Sequence, residues 1–139
     1  ISPGINDPHT AVNCINRIGS ILAELGDKYD DIRSYADDDE QLRLIMEPNQ
    51  FQDYLYASFY QIRIYGKHDI SVMNAVLDAL YRIAVVNKEP VKRDVWYFSK
   101  YMRSAIDEEG MAELDYKYYN QLLEKLAAAC NQYMESERP

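Results

Sequence analysis

The sequence predicts a mainly α protein: a compact bundle of about five amphipathic helices, with a short β-hairpin between the first two. Three observations carry this. Apolar residues recur at spacings of three and four along most of the chain, as on one face of a helix. Stop signals at Gly26, Pro48, Gly66, Pro90 and Gly110 cut that pattern into helix-sized pieces. At 139 residues the chain has the length of a single domain, 1–139, with one continuous core.

Helix one is expected from Pro8 to Leu25. Asp7 stands where an N-cap would accept amide hydrogens, and Pro8 takes the first helical position, where a missing N–H costs nothing. Ala11, Ile15, Ile18, Leu22 and Leu25 form its apolar face, and Gly26 reads as a left-handed stop. Asp27 to Glu40 is acidic and turn-rich. Its run Asp37-Asp38-Asp39-Glu40 lacks the alternating ligands and turn glycine of a calcium loop, so a solvated turn is expected. Ile32–Ala36 before it and Gln41–Met46 after it read as the arms of a hairpin, since Leu42, Leu44 and Met46 alternate. A short helix with Leu42, Ile45 and Met46 inward is the competing reading.

Asn49 with Gln52 makes a capping box for helix two, which buries Phe51, Leu55, Phe59 and Ile62 and closes at Gly66. Asp69 caps helix three, Ile70 to Val86. Its wide stripe of Met73, Val76, Leu77, Leu80, Ile83 and Ala84 suits the centre of a bundle. After the linker Asn87–Pro90, helix four extends to Glu109, with Val91, Val95, Phe98, Met102, Ala105 and Ile106 inward. Helix five starts at Met111 or Asp115 and runs to Glu135, carrying Leu122, Leu126, Ala129, Cys130 and Tyr133; Ser136 to Pro139 should fray.

The most specified stretch is Ile1-Ser2-Pro3-Gly4-Ile5-Asn6-Asp7-Pro8-His9-Thr10, with Ala11 following. Pro3-Gly4 is a turn signal, and Asn6 is a turn-maker or a site residue. Together with the later Ala57-Ser58-Phe59-Tyr60-Gln61-Ile62-Arg63-Ile64-Tyr65-Gly66, it resembles the signature of a family of predicted bacterial membrane proteins, domain-of-unknown-function family 2254. The resemblance implies that this is the soluble part of a longer protein, preceded by an N-terminal region of transmembrane helices. It also implies membrane association through that region; a cytoplasmic setting for this domain fits the reading of its two cysteines as free thiols.

Function classes narrow by exclusion. The net charge of −8 argues against nucleic acid, whose phosphates are neutralised by Lys and Arg. It argues equally against a basic patch on anionic lipid. No apolar run of about 18 residues is present, so this stretch does not itself insert in a membrane. Cys14 and Cys130 have no zinc spacing and read as buried thiols on helices. The 13 tyrosines suit half-buried positions and interfaces. His9 beside Asp7 and His68 beside Asp69 could ligate a metal only if their ends met, and solvated histidines are the plainer reading, so no metal is assigned. No nucleophile elbow, phosphate loop or dinucleotide fingerprint appears, so no cofactor and no catalytic residue is assigned.

Two functions remain. One is an interaction or regulatory module whose partner is its own membrane region or another protein. The other is a small-ligand or enzymatic site at the Ser2–Thr10 entry to helix one, with Asn6, Thr10 and Arg63 as polar groups. A structural clasp is the alternative role for this constellation. If helices one and two are antiparallel, Arg63 beside Gln61 can reach the Asn6–Asp7 turn. Apolar surface left uncovered by a missing segment would make the domain a homo-oligomer.

Overall fold

Asp69 fixes the start of the helix on which all the others lean. In the computed structural model, which describes residues 7–38 and 50–132, its carboxylate Oδ1 accepts hydrogen bonds from the Ser71 amide (3.0 Å) and the Ser71 hydroxyl (2.6 Å). This is the expected cap. The described helices are α1 (Pro8–Asp38), α2 (Phe51–Gly66), α3 (Ile70–Val85), α4 (Val91–Arg103) and α5 (Glu113–Ala129). α3 packs against all four others, most extensively against α1. Val76, Leu77, Leu80 and Ile83 of α3 are fully buried, as are Phe51, Leu55 and Phe59 of α2 and Val95 and Met102 of α4. Each such side chain contributes about 1.5–3 kcal/mol by leaving water.

Residue pairings give the directions. Gly19 meets Ala79 and Gly26 meets Asn87, so α1 and α3 run parallel; the long Arg82 side chain reaches back along α3 to Asn16. Phe59 faces Phe98 and Arg63 reaches Ser104, so α2 and α4 run parallel to each other. Lys92, at the start of α4, donates to the carbonyls of Ala84 (2.9 Å) and Ala129 (2.6 Å), which end α3 and α5. α1, α3 and α5 therefore point one way and α2 and α4 the other.

Five expectations change. α1 does not stop at Gly26: no glycine has positive φ among the described residues. The helix continues because Tyr29, one turn on, is buried edge-on against Phe51 (5.8 Å) and Tyr54 (6.3 Å). The first arm of the expected hairpin, Ile32–Ala36, consequently lies within α1, and no strand occurs among the described residues. The second arm, Gln41–Met46, lies outside them, as does Asn49. The capping box of α2 sits one residue later than read: the Gln50 amide donates to Asp53 Oδ2 (3.0 Å).

α4 ends at Arg103 rather than Glu109. The Tyr101 carbonyl, which a continuing helix would offer to Ala105, instead accepts Arg63 Nε (3.0 Å) and Ser104 Oγ (2.6 Å). The Ala105 amide turns back to Met102 at 3.3 Å. α5 ends at Ala129 rather than Glu135 because Asn131 adopts φ 59°, with the Gln132 amide donating to Ala127 (2.8 Å) and the Asn131 amide to Ala128 (3.1 Å). This is a Schellman closure, in which Asn serves the left-handed position.

Gly26 is retained for space rather than for a turn. A Cβ there would lie 2.7 Å from Asn87 Oδ1. Asn87 cannot simply withdraw, because its Nδ2 donates to the carbonyls of Ile83 (2.9 Å) and Ala23 (3.1 Å). Gly26→Ala should therefore destabilise the domain by about 1–3 kcal/mol, the range for overpacking, although alanine is the better helix former. Chemical denaturation of Gly26→Ala, Asn87→Ala and the double variant checks this. The double variant should lose less than the sum of the singles.

Candidate functional site

Because α2 runs back along α1, the first turns of α1 face the last turns of α2 and the start of α3. Between them lies a cavity of about 510 Å³. Its walls are Pro8, Thr10, Ala11, Cys14 and Ile18 from α1 and Ala57, Ser58, Gln61, Ile62 and Tyr65 from α2, with Gly66, Asp69 and Val72 where α3 begins. Gly66 permits this junction, since a Cβ on it would lie 2.7 Å from Val72 Cγ1. On α1 the sequence supplies a stripe at helical spacing, Thr10, Cys14 and Ile18, beside the core stripe. On α2, Ala57, Ser58, Gln61 and Ile62 occupy one face in the same way.

The mouth of the cavity is organised by Asp7. Its Oδ1 accepts the His9 amide (3.1 Å) and its Oδ2 the Thr10 hydroxyl (2.7 Å). The Thr10 hydroxyl chiefly, with the neighbouring amides, holds the Asp7 carboxyl below the usual carboxylate range. These donors are the ones an anion would need at this helix start, and Asp7 already has them. Asp69 is likewise engaged in capping α3. The cavity thus offers an apolar wall with hydroxyl and amide groups at its edge, from Thr10, Ser58 and Gln61, rather than a nucleophile paired with a base.

The predicted site residues divide. Thr10 and Gln61 share the cavity. Asp7 stands beside it as a cap, and Asn6 lies outside the described residues. Arg63 faces the other way. Its Nε donates to the Tyr101 carbonyl (3.0 Å), its Nη2 donates to Ser104 Oγ (2.9 Å), and its guanidinium lies 4.5 Å from the Tyr101 ring centroid. The clasp between Arg63 and the Asp7 turn is therefore corrected: α1 and α2 are antiparallel as reasoned, but Arg63 is on the face of α2 turned to α4. Cys14, read as buried, is exposed and lines the cavity, whereas Cys130 is buried. Pro8 and Thr10, which flank His9, line the same cavity as Gly66 and Asp69 near His68, yet no group of three His, Cys, Asp or Glu forms a metal cluster among the described residues.

A family described as a predicted membrane protein, DUF2254, matches residues 1–82, more than half of the chain and every residue that lines the cavity. The chain belongs to the DUF2254 family. Uncharacterized proteins of Mycobacterium tuberculosis and Mycobacterium bovis are each 30% identical to it over 95 residues, 67% of this chain. That stretch is 18% of each relative, so the chain spans about a fifth of the length of the curated relatives it matches. No solved structure matches it. Although this is a family of predicted membrane proteins, no helix among the described residues is long and apolar enough to cross a membrane.

Two measurements follow. Arg63→Ala should destabilise by about 1.5–3 kcal/mol, the range for hydrogen bonds to a charged group. Combined with Asp7→Ala it should be additive in denaturation, because the two side chains share no partner. For Asp7, the folded carboxyl titrates below its unfolded value. Its contribution is thus fully present above the ordinary carboxylate range and is lost as pH falls through the lowered value. Thr10→Val should return the Asp7 titration, followed by carboxyl NMR shifts, toward the ordinary range.

Proposed function

We propose that this domain is an interaction or regulatory module of a membrane protein, and that the cavity at the α1–α2–α3 junction receives a segment of the protein's membrane region. One observation carries the reading. The two stretches that carry the family resemblance, Ser2–Ala11 and Ala57–Gly66, are more than forty residues apart in sequence, yet Pro8, Thr10 and Ala11 of the first share a cavity with Ala57, Ser58, Gln61 and Ile62 of the second. Thr10 and Gln61 are exposed and Ser58 is half-buried, so polar groups rim an apolar wall formed by Ala11, Ile18 and Ile62. The match covering only 18% of each relative leaves ample chain for such a segment to come from.

Cys14 supplies the test. It is an exposed thiol in the cavity wall, and Cys130 is an internal control, buried with its thiol pushed up to about 11 mainly by desolvation. Maleimide labelling of Cys14, read on its peptide by mass spectrometry, should be fast in this chain alone. It should be several-fold slower in the whole membrane protein in native membranes. Equal rates in the two would overturn the proposal.

A second reading has its own support. The volume of about 510 Å³ falls within the range of small-molecule sites, roughly 300–1,000 Å³. Under that reading a small amphipathic ligand occupies the cavity, and a ligand library should contain compounds that raise the melting temperature of this chain. Ser58→Leu or Gln61→Leu should abolish that rise.

A further inference from the structure

On the opposite side of α2 a second, smaller cleft lies against α4. Its volume is about 190 Å³ and its lining is Gln52, Asp53, Tyr56, Tyr97, Phe98 and Tyr101. Four of these six residues are aromatic, and Asp53 is the one charged group. The rings form a connected set: Tyr56 lies 5.7 Å from Tyr101, and Tyr101 lies 5.4 Å from Phe98, in tilted arrangements that turn ring faces in different directions. Tyr60 stacks behind Tyr56 at 5.2 Å and 12°, which holds that ring in place. Phe98 is buried and forms the base, while Tyr56 and Tyr97 remain 50% and 62% exposed.

We propose that this cleft binds a quaternary ammonium group. Aromatic faces carry negative potential and attract cations, with tighter attraction where water is excluded. Asp53 adds a full negative charge at the rim; its Oδ2 accepts the Gln50 amide, and none of the hydrogen bonds among the described residues uses its Oδ1. A primary ammonium is compact and strongly hydrated and would surrender that hydration to enter. A trimethylated nitrogen spreads its charge over methyl groups that fit against rings. The Arg63 guanidinium, outside the cleft lining, sits 4.5 Å from the centroid of Tyr101 and takes one of its faces, so the exposed rings of Tyr56 and Tyr97 carry most of the attraction. At 190 Å³ the space is below the range of drug-sized pockets and matches a single alkylammonium head. The chain's net charge of −8 favours the encounter.

The shared chemistry has two sources, free choline-like molecules and the headgroup of phosphatidylcholine. The N-methyl proton resonance of choline or tetramethylammonium, titrated with this chain, should move upfield and saturate, because the methyls enter the ring currents. The neutral tert-butyl analogue of choline has the same shape without the charge, and should bind at least about tenfold more weakly. Tyr97→Ala and Asp53→Asn should each weaken choline binding by about three- to tenfold. Tyr97→Ala should leave the melting temperature nearly unchanged, because Tyr97 is exposed and its loss opens no core cavity. Co-sedimentation with phosphatidylcholine but not phosphatidylglycerol vesicles would assign the headgroup as the source; saturation by free choline without vesicle binding would assign the soluble molecule. No saturable shift, or equal binding of the neutral analogue, would overturn the proposal.

Discussion

The close approach of α1 to α3 is the contact from which the other positions follow. At Gly19 a Cβ would come within 3.0 Å of the Ala79 Cβ, and at Gly26 the side chain of Asn87 fills the space a Cβ would need. Two glycines seven residues apart lie on one face of a helix, so α1 can lie nearly against the α3 backbone along two turns. With α1 and α3 parallel and in contact, the connecting helix α2 must run the other way. That return carries the second family stretch back to the start of α1, and the cavity is the space left where three helix ends meet.

Much of this was legible in the residues. The apolar stripe of α3 marked it as central, and Asp69 marked its start, because capping is a local interaction that depends on few neighbours. The ends of α1, α4 and α5 were not legible. Gly26 in sequence resembles a helix stop; only the presence of Asn87, far along the chain, shows that its lack of a side chain serves packing. The end of α4 is set by Arg63 taking the Tyr101 carbonyl, and no local pattern announces a donor 38 residues away. The hairpin reading failed for the same reason, since burial of Tyr29 against Phe51 extends α1 through residues whose local character is turn-like.

Of the residues that line the cavity, Thr10 and Gln61 stood out in the sequence by the distinctiveness of their stretches, whereas Cys14 was read as buried. Cysteine is among the residues most often buried. The available signal was its place in the stripe Thr10–Cys14–Ile18, offset from the core stripe of Ala11, Ile15 and Leu22. Arg63 was singled out correctly as unusual but given the wrong neighbour. The sequence alone did not reveal which side of α2 would meet α1 and which would meet α4, and its tyrosines gave no preference.

Lys92 ties together what the topology leaves side by side. One ammonium, at the start of α4, satisfies the terminal carbonyls of both α3 and α5. Cations at helix C-termini are stabilising in general, but sharing one between two helices makes their last turns a single cooperative unit. Amide protons there should exchange with solvent through one joint opening rather than by independent fraying. The end of the bundle remote from the cavity is thereby fastened by one side chain.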